Sequence, residues 1–124
     1  MNLAPKPVCL VLAVIAAIGS VGTLQAADGS HSMIAGCRLA RDHLQEKKGA
    51  PITDDEGRCY GYLKGFRDAL SLENTRKFAC VPPEAQLGQL VRVFVKWADE
   101  NPNAWHLPEG FTVGRALHLA FPCK

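Results

Sequence analysis

The most reactive side chains in this sequence are five cysteines and four histidines: Cys9, Cys37, Cys59, Cys80 and Cys123, and His31, His43, His106 and His118. Three chemistries are open to such a set. A catalytic thiolate needs a depressed pKa, a neighbouring base and some exposure. No Cys/His signature surrounds any of these cysteines, and Cys59 opens an apolar helical stripe, where a thiol is inert or bonded. A zinc site is signalled by closely spaced ligands, and the chain has neither Cys-x-x-Cys nor His-x-x-x-His. Disulfide formation is the third chemistry, and it depends on where the chain resides. No catalytic residue, metal ligand or cofactor is assigned.

The first 26 residues read as a signal peptide. Lys6 is the only charged side chain before Asp28, and Val8 to Ile18 is an unbroken apolar run of 11 residues. Gly19 to Gly22 interrupts it, and Leu24-Gln25-Ala26 puts a small residue at a cleavage position. The run is too short to cross a bilayer. Cleavage after Ala27 and a buried N-terminal helix are the alternatives. Cys9 lacks the small residues that precede a lipoprotein cysteine, so it leaves with the signal. Residues 27–124 then form one domain of 98 residues with no membrane segment. A domain of that size buries only about 60–65% of its unfolded surface, so cross-links help it. Its remaining cysteines, Cys37, Cys59, Cys80 and Cys123, read in an exported chain as two disulfides with three possible pairings. Thirteen Lys/Arg against twelve Asp/Glu leave the domain near +1, without the basic footprint of a nucleic-acid binder.

The elements that must position these cysteines are helical. In the stretch 58–70, Cys59, Tyr62, Leu63, Phe66, Ala69 and Leu70 recur at 0, 3, 4, 7, 10 and 11, the stripe of an amphipathic helix. Thr53-Asp54-Asp55-Glu56 has the capping-box form, so this central helix runs from there to about Leu72. Gly61 and Gly65 lie one turn apart. Each costs a helix about 1 kcal/mol against alanine, which predicts that another backbone approaches there, inside the protomer or across a dimer. A first helix, capped by Ser30 or Ser32, carries Met33, Cys37, Ala40 and Leu44 on one face and ends at Lys47-Lys48-Gly49. A third runs from near Glu84 to Asn101 on Leu87, Leu90, Val91, Phe94, Trp97 and Ala98, with Gly88 a further close approach. A fourth carries Val113, Ala116, Leu117, Ala120 and Phe121 and stops at Pro122. No strand-like alternation appears. The expected fold is all-α, a small four-helix bundle-like domain stapled by disulfides.

Joining neighbours favours the pairing Cys37–Cys59 and Cys80–Cys123. Chain entropy gives such bonds about 3.4 and about 4 kcal/mol. One geometric objection remains. Cys37 lies about 11 residues before the expected end of its helix and Cys59 about 5 after the start of its own. At about 1.5 Å per residue that is a stagger of about 9 Å, which the loop 48–53 must absorb.

Trp105 and His106, between the two prolines of 101–110, are the candidate partner-binding pair. Trp is favoured at binding hot spots, and a Pro-stiffened loop loses little entropy on docking. The competing role for Trp105 is to cover the bundle end, and for His106 to cap a helix. The connector 73–79 is the second candidate surface. Trp97 continues a core stripe, Tyr60 packs on the first helix or faces a partner, and Arg38, Arg41, Lys47 and Lys48 form a diluted basic face.

Taken together, these residues carry a resemblance. Cys59-Tyr60-Gly61-Tyr62 with Gly65 and Asp68 resembles the C-x-G-Y-x-x-G-x-x-D core of the Rap/Tai immunity proteins of the type VI secretion system. Phe78-Ala79-Cys80-Val81-Pro82 resembles that family's F-C-x-P step with Ala79 inserted, and Gly88-Gln89-Leu90 its G-Q-L helix opening. Pro102, His106, Ala116-Leu117 and Ala120-Phe121-Pro122-Cys123 resemble its ending. Glu84-Ala85 and Glu109-Gly110 depart from the family's usual helix starts. The resemblance implies a small periplasmic helical protein, a homodimer without catalytic activity. Its partner would be a toxic effector injected by neighbouring bacteria, a peptidoglycan amidase, which it binds and blocks. The alternative is a periplasmic structural or assembly protein with the same domain and no toxin partner. A small envelope enzyme is the weaker third reading, because no cluster of titratable groups supports it.

Overall fold

A computed structural model describes residues 29–46, 49–72 and 78–124. Four helices form it: α1 (His31–Glu46), α2 (Asp54–Leu70), α3 (Leu87–Glu100) and α4 (Glu109–Ala120), with a 3-10 turn at Pro102–Ala104. There is no strand among the described residues. The expected signal peptide, Cys9 and Lys47-Lys48 lie outside them, as do residues 73–77 of the connector. No described helix is long and apolar enough to cross a membrane.

The core is organised around α3. Its Leu90, Val91, Phe94, Val95 and Ala98 are all fully buried, and α1 and α4 both pack on it. The sequence placed α2 at the centre. That helix instead buries a narrower stripe, Glu56, Cys59, Leu63 and Leu70, and packs chiefly on α1. Ala69 and Ala120 are exposed rather than core, and Leu44 is exposed while Ile34 and Gly36 are buried in its place. The expected stripes of α1, α2 and α4 each took in one residue that is exposed, whereas that of α3 left out the fully buried Val95.

Helix ends follow local chemistry. Thr53 forms the capping box: its hydroxyl accepts from the Glu56 N–H, and the Glu56 carboxylate accepts from the Thr53 N–H. Helix α3 starts later than expected, at Leu87, because residues 82–85 form a turn closed by the Ala85 N–H on the Pro82 carbonyl. Helix α4 stops before Pro122 as expected.

Within the protomer, the close approach expected at Gly61 and Gly65 is not made. A Cβ on Gly61 or Gly65 would meet nothing within 4 Å, and both lie on the exposed face of α2. The close approach is at Gly36, where a Cβ would fall 2.5 Å from the Asp55 carbonyl oxygen. Helix α1 therefore crosses the first turn of α2 at backbone contact. One residue on, Cys37 bonds Cys59 with Cα atoms 5.1 Å apart. Cys80 bonds Cys123 with Cα atoms 5.0 Å apart.

Candidate functional site

Residues 101–110 form a corner between α3 and α4, and hydrogen bonds hold it from three sides. Below it, the Trp105 indole N–H donates to the Ala98 carbonyl at 2.8 Å, and the Asn101 side-chain amide donates to the Trp97 carbonyl at 2.8 Å. From the start of α1, the Ser30 N–H donates to the Trp105 carbonyl at 2.8 Å, and its hydroxyl donates to the Leu107 carbonyl at 2.6 Å. From α4, the Thr112 hydroxyl meets the Ser30 oxygen at 2.8 Å. The Thr112 hydroxyl has a second acceptor in reach, the Glu109 carbonyl at 3.0 Å, so its one proton is shared between that carbonyl and the Ser30 oxygen. Ser30 and Thr112 are fully buried, so these bonds are sheltered from water.

Gly29 makes the clasp possible. Its φ is +59°, and a Cβ there would fall 2.7 Å from the His106 backbone. Only glycine tolerates both. One hint was visible in the sequence, a threonine beside the apolar stripe of α4. The expectation for Ser30, a helix cap, saw only its local role. Its O–H partner lies 77 residues away.

Trp105 is half-buried against the core. The Arg38 guanidinium sits 4.7 Å above its ring, and the His31 ring meets it edge-on at 5.7 Å. Asp99 fixes Arg38 at 2.6 Å. Arg41 also reaches Asp99, so the two arginines of the expected basic face of α1 are both paired. Trp105 is thus committed inward, and His106 is the member of the pair that faces solvent.

His106 borders a groove of about 430 Å³ with Arg58, Tyr62, Pro108 and Glu109. Arg58 and Glu109 pair across it. Burial, then the Glu109 charge, pushes the Tyr62 phenol above its ordinary pKa, so it remains a neutral O–H donor. Beyond the groove lies an aromatic face. Tyr62 stacks with Phe66 at 6.4 Å, and Phe66 and Phe78 both close on Gly114. The Phe78 ring lies 5.4 Å from His118. Phe111 is 56% exposed and Phe78 48%. Of the other singled-out aromatics, Trp97 packs half-buried on the core, and Tyr60 packs on α1 with its hydroxyl 3.4 Å from the Ala40 carbonyl.

The four cysteines are spent in disulfides, and no group of three His, Cys, Asp or Glu among the described residues is placed to hold a metal. The closest approach to a titratable cluster is His43 on Glu56 at 2.7 Å. That carboxylate is 3% exposed and already accepts from Thr53, so the pair joins α1 to α2 rather than opening on a cleft.

What this defines is a small helical binding domain, stapled twice, that presents a rigid polar corner next to exposed aromatic rings. The chain belongs to the Rap1a immunity proteins, whose family model matches residues 30–123. No curated protein and no solved structure matches it. An immunity protein binds a cognate toxic effector, and the ordered motifs from Cys59 to Cys123 fall within the matched span.

Proposed function

We propose that this protein neutralises a toxic effector delivered by type VI secretion, a peptidoglycan amidase, by seating the 101–110 corner over the effector's active-site cleft. One observation carries the reading. The corner is anchored through Ser30, Thr112 and Trp105, yet turns His106 outward at the rim of the groove that Arg58, Tyr62 and Glu109 line. Such a surface is preorganised, so little ordering entropy opposes docking. Exposed aromatics next to a few polar groups are the usual anchors of tight interfaces. In this reading Trp105 positions and His106 touches.

The rest of the proposal follows from where such an effector acts. Residues 1–26 direct export and are removed, leaving 27–124 as the working domain in the periplasm, where both disulfides are stable. The protein works as a homodimer and by occlusion, without turnover and without a cofactor. Co-expression with the toxin gene beside it, with both products exported, tests this. Cells survive on the proposed function; death as fast as without the chain contradicts it.

A further inference from the structure

The two disulfides sit in opposite environments. Cys37 and Cys59 are 0% and 1% exposed, sealed where α1 crosses α2 at Gly36. Cys80 is exposed and Cys123 half-exposed. Cys80 belongs to an irregular segment, 79–82, that borders a groove of about 530 Å³ between the end of α2 and Pro82-Pro83. Arg67 and Asp68 line the same groove.

We propose that Cys80–Cys123 is a thiol–disulfide exchange site, open to a dithiol while the domain stays folded, and that Cys37–Cys59 is closed to one. This holds whether or not the corner is the effector-binding surface. Exchange requires a thiolate to reach a sulfur of the bond, and exposure admits it at one pair alone. A thiolate of the dithiol attacks the Cys123 sulfur and forms a mixed disulfide. The Cys80 sulfur leaves with the bonding electron pair as a thiolate. The second thiol of the dithiol then displaces Cys123. The dithiol is oxidised to its disulfide, and its two protons pass to the Cys80 and Cys123 thiolates.

The fold does not depend on that bond to keep the segment near. The Cys80 N–H donates to the Phe121 carbonyl at 2.8 Å, and His118 bonds the Phe78 carbonyl. Ala79 and Ala85 remain seated in the core on either side. Reduction therefore loosens the segment around Cys80 and leaves the helices in place. Opening Cys37–Cys59 instead requires α1 and α2 to separate, a much rarer event.

The test treats the purified, folded domain with dithiothreitol, alkylates at intervals, and maps the modified peptides while helicity is followed by circular dichroism. A parallel arm replaces dithiothreitol with a reduced Cys-x-x-Cys oxidoreductase. The expected result is alkylation of Cys80 and Cys123 with helicity retained, at a rate about 10³-fold or more above that of Cys37 and Cys59. Reaction with the small dithiol alone, or with both reductants, distinguishes the sources, and either supports the site. Simultaneous labelling of all four cysteines, or no labelling before helicity is lost, overturns it.

Discussion

The crossing of α1 over α2 and the corner between α3 and α4 keep their shapes by different means. At the crossing, backbone touches backbone at Gly36, a buried disulfide fixes the contact, and His43 reaches the Glu56 cap from the side. At the corner no covalent bond intervenes. One buried serine and one indole hold the loop at Trp105 and Leu107 through hydrogen bonds to α3 and to the start of α1. The first arrangement maximises stability and presents little. The second is held just firmly enough to present a side chain outward. A binding protein needs both, and here they occupy separate ends of the sequence contacts.

That contrast is broken most severely by removing the buried bond. Chain entropy ranks the longer Cys80–Cys123 loop as the greater stabiliser, about 4 against about 3.4 kcal/mol. Burial reverses the order, because Cys37 and Cys59 also lose their packing when replaced. Cys37→Ala/Cys59→Ala should lose about 3–5 kcal/mol in urea unfolding. Cys80→Ala/Cys123→Ala should lose less, and the reverse order would show that loop length outweighs burial.

At the corner, Ser30→Ala removes the donor to the Leu107 carbonyl and the contact with Thr112, whose hydroxyl keeps its bond to the Glu109 carbonyl. The expected loss is about 1–3 kcal/mol. Effector affinity should fall further than stability does, since the corner loses its anchor; calorimetric binding beside urea unfolding separates the two. Equal losses would mean that the clasp only stabilises.

The capping box gives a smaller effect with a defined pH dependence. Thr53→Ala should lose about 1 kcal/mol. The Thr53 N–H and hydroxyl, and then His43, hold the Glu56 carboxyl below the usual carboxylate range. The folded state therefore binds that proton less readily than the unfolded one. Its contribution is present in full above the ordinary carboxylate pKa and is lost as pH falls through the depressed value. Acid titration of stability should be shallower in Thr53→Ala than in the parent.

The smallest effect is expected at Gly61 and Gly65. With open space around both, replacement by alanine should stabilise the helix by about 0.4–1 kcal/mol each. Destabilisation of the protein at micromolar concentration, relieved by dilution, would reveal that a second copy packs on this face.

Much of the scaffold was readable from local patterns. The capping box at Thr53, the stop at Pro122 and the four amphipathic segments are written within a few residues of where they act. The neighbour pairing of the cysteines followed from helix order. The corner was readable only in outline. Pro102 and Pro108 marked it, but its clasp joins Ser30 to residues 77 and 82 positions away, and no local pattern encodes that. Gly61 and Gly65 misled because a helical glycine signals close approach only when a neighbour is present, and the neighbour is set by tertiary packing. Gly36 carried the real contact without any spacing to mark it.

The most direct test of the corner as the inhibitory surface uses His106, whose exposure makes its replacement harmless to folding. Peptidoglycan hydrolysis by the purified cognate effector is titrated with the parent domain and with His106→Asp. Near-stoichiometric inhibition is expected from the parent and a loss of at least about 30-fold in the variant, the size of a hot-spot change. Unchanged inhibition by a folded His106→Asp domain would place the binding surface elsewhere.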